Sequence, residues 1–231
     1  MMISPFYILI IVLMVLSMIV GKALQSTFNS YGKYPTQGYI TGKDVAEKML
    51  RDNDIYDVKV GCIKGQLTDH YNPTNKTLNL SEAVYNGNSV AAAAVAAHEC
   101  GHAIQHAHAY YWLSLRSSMV PAVNIASKWS QWLILGGLVL LSISQSTIVL
   151  WAGIILFGVS TLFAFVTLPV EINASHRALL WLNNNEITSR ETHPKAQKAL
   201  RLAAYTYVIA ALSSLATLLY YVSLVMGRSR D

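Results

Sequence analysis

With 231 residues the chain is long enough for one or two domains. Only 13% of them are charged, half of the usual quarter or so, and 53% are apolar, which excludes an ordinary soluble domain and points to a membrane protein with a modest polar part. The net charge of +5 comes from Lys and Arg scattered among acidic residues, which excludes a nucleic-acid partner, and the two cysteines, Cys62 and Cys100, exclude a disulfide framework.

The first predicted element is an apolar run from Ile3 to Val20. It has no basic leader and no A-x-A cleavage site, so it reads as a retained membrane anchor over residues 1–20. Residues 21–128 form the main polar segment. Gly21 to Gly42 is rich in Gly, Ser, Tyr and Thr and is expected to be a loop. A short amphipathic helix follows over Lys43 to Arg51, with Val45, Met49 and Leu50 on one face and Thr41 as its cap. Asp57 to Ile63 alternates as a strand does. Gln66 to Tyr71 and Lys76 to Ser81 flank the turn signal Asn72-Pro-Thr-Asn75, which predicts an antiparallel hairpin. A strand edge there can hold an extended peptide or serve only as scaffold, and the sequence favours neither.

The next stretch is the centre of the chain. Residues 89–108 open on Ser89, a good helix cap, and continue through an Ala-rich run into His98-Glu99-Cys100-Gly101-His102. On a helix, residues four apart share a face, so the imidazoles of His98 and His102 converge and can hold one Zn2+. Glu99 is then placed as the general base that takes a proton from water activated there. Cys100 points off that face. Tetrahedral zinc needs a third protein ligand, and three residues come into view. His108 has metzincin spacing, but that pattern needs a turning Gly where this chain has Gln105. His106 shares the helix face but lies about 12 Å along the axis from His98. Glu171 is the third, and the topology prefers it.

Beyond the motif, Tyr110, Tyr111 and Trp112 form an aromatic cluster, and Pro121 is expected to break or kink the chain. Trp129 to Ile143, extended back towards Val123, and Thr147 to Val170 are two apolar spans joined by Ser144-Gln145-Ser146, so residues 129–170 form a transmembrane hairpin. Residues 171–202 are polar, and Pro194 is expected to separate two short helices there. Residues 203–231 hold a last span and a short tail. Four spans place segments 21–128 and 171–202 on the same side, so Glu171 emerges beside His98 and His102. These segments carry 15 of the 17 Lys and Arg residues, which makes their side cytoplasmic by the positive-inside tendency. A carboxylate at the mouth of a span is costly unless partnered, and a metal ion is one such partner. The fold class is a mainly α membrane protein: about four transmembrane helices with a small α+β zincin-like cytoplasmic domain.

The residues also carry a family resemblance. Leu67-Thr-Asp-His-Tyr-Asn72, Lys76 to Ser81, Val84-Tyr-Asn-Gly87, Ala96 to Gln105, Leu115-Arg-Ser117 with Val120-Pro121, and Leu168 to Ser175 together resemble the YugP-like bacterial membrane zinc metallopeptidases, and more distantly the HtpX group. The resemblance implies a gluzincin-type site with His98, His102 and Glu171 on Zn2+ and Glu99 as base, in a multi-pass protein of the bacterial plasma membrane. It implies a membrane-bound metalloendopeptidase acting on proteins or peptides, membrane proteins among the candidates. HtpX-like enzymes carry Asp four residues after the ligand Glu. Here that place is Ser175, which can still hydrogen-bond a ligand His, as a neutral partner. Tyr71, His106, His176 and Arg177 are candidates for a second oxyanion donor; His70 is equally open, and the sequence selects none.

Overall fold

The computed structural model describes residues 5–228. Residues 1–4 of the expected anchor and 229–231 of the expected tail, Arg230 included, lie outside the described residues. In chain order the elements are α1 (Pro5–Tyr31), α2 (Gly42–Arg51), β1 (Lys59–Ile63), β2 (His70–Asn72), β3 (Thr77–Ser81), α3 (Glu82–Tyr85), α4 (Val90–Ala107), α5 (Tyr111–Ser144), α6 (Ile148–Asn184) and α7 (His193–Arg228). They form two compact units. One takes in the chain up to Ile19, Leu115–Leu168 and the chain from Thr206; the other takes in Val20–Ser114 and Pro169–Tyr205.

Among the described residues, four helices are long and apolar enough to cross a membrane: α1, α5, α6 and α7. Within the first unit, α5 and α6 form the expected hairpin. It turns over three residues, with Gln145 in the left-handed region at φ 56°. Glycine lets the two helices meet. A Cβ on Gly137 would lie 2.5 Å from the Leu150 Cα, and one on Gly153 would lie 2.8 Å from the Ile134 backbone. Ile134, Leu141, Leu150, Ile154 and Val225 pack together there. The Thr161 and Ser214 hydroxyls, 2.7 Å apart, tie α6 to α7.

The second unit has one core, made by α2, the sheet, α3, α4 and the polar parts of α6 and α7. Val45, Met49, Leu78, Leu80, Val84, Ile104 and Leu182 are fully or almost fully buried in it, with the alanines of α4 between them. Alanine does two things in α4. It has the highest helix propensity, and its small side chain lets neighbouring elements approach closely. The α2 helix begins with a full capping box: Thr41 Oγ1 accepts from the Asp44 N–H, and the Asp44 carboxylate accepts from the Thr41 N–H. The sheet order is β1-β3-β2, with β2–β3 antiparallel and β1–β3 parallel. The hairpin is therefore present, with a first strand shorter than expected. Asp69 anchors its entry by accepting from the Ser81 N–H at 2.7 Å and the Ser81 hydroxyl at 3.1 Å.

Three expectations are corrected. Residues 21–31 are not loop but the continuation of α1, because Lys22-Ala-Leu-Gln25 are good helix formers and no Pro or Gly stops the helix before Gly32. Pro121 does not end a helix; α5 runs through it from Tyr111. Proline removes one backbone hydrogen bond, and a helix this long retains enough others to continue. Pro194 does not separate two short helices. It is the second residue of α7, in the first turn where a missing N–H costs nothing; residues 171–184 are the end of α6, and residues 185–192 form turns between the two helices.

Candidate metal centre

The centre is built where α4 passes α6. The α4 helix starts at Ser89, whose Oγ accepts from the Ala92 N–H at 3.2 Å. Three turns on, Gly101 lies against the α6 backbone: a Cβ there would be 2.7 Å from the Ala174 oxygen and 2.9 Å from its Cα. No side chain fits between the helices at this point, so the residues on either side of it are brought into direct contact. On α4 these are His98 and His102, with ring centroids 4.8 Å apart and planes at 84°. On α6 they are Glu171 and Ser175.

Glu171 is 3% exposed. Its Oε2 lies 3.3 Å from His98 Nε2 and 3.6 Å from His102 Nε2. Ligand atoms held at about 2.1 Å around a tetrahedral zinc ion are separated by roughly 3.4 Å, so these spacings suit a shared ion. His98, Glu99 and His102 also offer ligand atoms within 4.8 Å of one another. Two carboxylates thus compete for the third position. Glu171 is the better ligand by geometry, because one of its oxygens is nearly equidistant from both imidazoles. Glu99 has a separate partner: its Oε2 accepts from the Tyr71 N–H at 3.0 Å.

The hydrogen bonds behind the rings strengthen the fit. His102 Nδ1 is 3.0 Å from Gln105 Oε1, so Nδ1 carries the proton and donates. Neutral His102 therefore turns a bare Nε2 lone pair towards a carboxylate oxygen. Two acceptors face each other in a buried place, and only a proton or a cation between them makes that arrangement favourable. For the proton, burial of the ring opposes the charged form, but hydrogen bonding to Glu171 and the charges of Glu99 and Glu171 outweigh it and raise the His102 pKa. The donor set, two imidazole nitrogens and one carboxylate oxygen, is the one that zinc takes in hydrolytic sites. His98 is backed by Ser175, with Oγ 3.1 Å from Nδ1.

The other sequence candidates fall elsewhere. His108 caps the end of α4 and is exposed. His106 is exposed too, and its Nδ1 is 2.8 Å from the Tyr71 hydroxyl. His176 is exposed, Arg177 donates through Nε to Asn173 Oδ1 at 2.8 Å, and His70 bonds the Thr68 carbonyl through Nδ1. Cys100 is fully buried on the opposite face of α4 and donates to the Ala46 carbonyl at 3.5 Å; burial, and then Glu99, push its thiol pKa well up. The strand edge has one scaffold role that the contacts show. In β2, the Tyr71 N–H points away from β3 and is already committed to Glu99. What the edge visibly does is hold Glu99.

Two residues of the site were not singled out by sequence reasoning. Gly101 entered only as a wildcard within the motif. Gln105 entered only as the residue standing where a metzincin has Gly. A polar residue three positions after His102, at the end of an otherwise apolar Ala-rich face, was the available signal.

Comparison with known proteins follows the same lines. Residues 6–226 match the model of the family described as "Putative neutral zinc metallopeptidase". The chain is 41% identical over 209 residues to "Putative membrane protease YugP" of Bacillus subtilis (strain 168), covering 90% of this chain and 91% of that protein. No solved structure matches.

Proposed function

The chain belongs to the neutral zinc metallopeptidase family, and from that footing we propose that it is a membrane-bound zinc-dependent endopeptidase, with His98, His102 and Glu171 holding the ion and Glu99 as general base. The observation that carries this reading is one buried Glu171 oxygen lying 3.3 Å from His98 Nε2 and 3.6 Å from His102 Nε2. Bound there, zinc would supply Lewis acidity, lowering the pKa of a water and polarising the scissile carbonyl.

The protein residues do the rest. The Tyr71 N–H holds one Glu99 oxygen, which orients the carboxylate and leaves its other oxygen to accept the proton of the attacking water. Glu99 then passes that proton to the leaving nitrogen as the C–N bond breaks, so the peptide bond and one water are exchanged for a carboxylic acid and an amine with no net change at Glu99. Ser175 and Gln105 keep the two imidazole rings oriented with their Nε2 atoms inward. The substrate is a protein or peptide, with membrane proteins as the class nearest to hand for an enzyme with four apolar helices. The scattering of Lys and Arg among acidic residues supports no nucleic-acid partner. We place the site on the cytoplasmic side of a bacterial plasma membrane, because 15 of the 17 Lys and Arg residues lie in segments 21–128 and 171–202.

The test is Glu99→Gln in the full-length protein. It should retain stoichiometric zinc and lose peptide cleavage; persistent cleavage rejects Glu99 as base. Glu171→Ala should lose zinc, and full metal content in that variant moves the third ligand elsewhere.

A further inference from the structure

Resting on the zinc site just described, we propose that Gln105 is a positioning residue: its one amide locks His102 in the tautomer that presents Nε2 to the ion and ties α4 to the turn of α6 that carries Glu171.

Gln105 is fully buried, and all its polar contacts lead to the site. Its Nε2 donates to the Val170 carbonyl at 2.8 Å and to Asn173 Oδ1 at 3.0 Å. The Val170 carbonyl can only accept, so the amide nitrogen must face it. The orientation of the amide is therefore decided by its partners. It follows that Oε1 faces His102 and that His102 Nδ1 must donate. Both amide hydrogens are used, and the oxygen is used by a ligand ring. A glutamine that served only as filler would leave buried polar atoms unpaired, each costly in an apolar core.

The contrast with His98 gives the proposal its content. Ser175 behind His98 is a hydroxyl, which donates or accepts by rotating and so accepts either tautomer. Gln105 has no such freedom. Its amide is held at the other end by the carbonyl of Val170, the residue immediately before Glu171. One side chain thus sets both the protonation of a ligand on α4 and the distance to the backbone that supplies the ligand on α6. Loss of such an outer partner typically weakens metal binding about 10–100-fold.

The experiment uses the full-length protein in detergent, with zinc affinity measured by competition with a chromogenic chelator. Gln105→Met fills nearly the same volume with no hydrogen bonds and should weaken zinc roughly 10–100-fold. Gln105→Glu keeps an acceptor for His102 and, when protonated, a donor for Val170, and should bind closer to wild type than to Gln105→Met. Long-range 15N spectra of the metal-free wild type should show neutral His102 protonated at Nδ1. A folded Gln105→Met that matches wild type in zinc affinity overturns the proposal, as does a Gln105→Glu as weak as Gln105→Met. Should Gln105→Met fail to fold, the spectra decide, and an Nε2-protonated His102 overturns the proposal. A wild-type protein that takes up no zinc removes the proposal together with the reading beneath it, whereas the outcomes above leave that reading standing.

Discussion

Gly101→Ala separates the geometry of the site from the stability of the fold. The added Cβ would lie 2.7 Å from the Ala174 oxygen, 2.9 Å from its Cα and 3.1 Å from its carbonyl carbon. These are backbone atoms, so no side chain can rotate away. Ordinary van der Waals contact begins at 3.4 Å, so the two helices must part by 0.7 Å at Ala174, the difference between those distances. Ala174 is one helical turn from Glu171 and adjacent to Ser175. Overpacking of this kind costs about 1–3 kcal/mol. Replacing a helical Gly by Ala returns roughly 0.5–1 kcal/mol. The net loss is thus on the order of 1 kcal/mol, and the protein should remain folded. The ligand set is less forgiving, because zinc–ligand distances tolerate only about ±0.2 Å. We expect Gly101→Ala to melt within several degrees of wild type yet to bind zinc at least about tenfold more weakly, since outer displacements of ligands are felt at that level. Gly136→Ala is the control, because a Cβ there meets nothing within 4 Å. Zinc content and chelator competition read the result directly. A folded Gly101→Ala with wild-type zinc affinity would refute the argument that this helix contact sets the ligand spacing.

Two further predictions test the base and the topology. Tyr71→Pro removes the N–H that holds Glu99 at an edge position where the sheet does not need it, whereas Tyr71→Ala removes the phenol and keeps the N–H. At equal zinc content, Tyr71→Pro should have a kcat roughly tenfold or more below Tyr71→Ala, and equal kcat values would show that the N–H does not position the base. Cys62 is exposed and Cys100 buried, so the native chain offers one reactive thiol in the unit that holds the metal centre. A membrane-impermeant maleimide should label Cys62 in lysed cells but not in intact spheroplasts; labelling from outside would invert the proposed orientation.

The sequence was most legible where the information is local. Helical spacing alone puts His98 and His102 on one face, and Thr41 and Ser89 signal their helix starts through caps that the structure contains. Glu171 could be placed beside them by topology, since counting spans is enough to bring a residue 69 positions after His102 back to the same side. Contacts between helices are another matter. Gly101 meets Ala174 and Gln105 meets Val170 across separations that no periodicity encodes, and both residues looked incidental in the linear motif. The helix ends failed for a related reason. Pro121 and Gly21 weigh against helix by local preference, yet each is only one residue in a long helix, and α1 and α5 continue through them.

Ser175 shows how such a departure from pattern becomes intelligible once contacts are known. In HtpX-like enzymes a carboxylate stands at this place, and a carboxylate behind a ligand imidazole makes the ring a stronger donor. Here His98 has a hydroxyl behind it and His102 an amide, both neutral. Neither ring therefore has a buried anion behind it. Beside the charge of Glu99, negative charge reaches the two Nε2 atoms from Glu171, whose oxygen lies closer to His98, the ring whose hydroxyl partner leaves its tautomer open. The ring without a fixed tautomer is thus the one with the nearer anion. His102, slightly farther off, has its proton assigned by Gln105. Orientation in this centre is shared between an anion in front of both rings and an amide behind one of them, so a neutral Ser at residue 175 is compatible with the proposed ligand set.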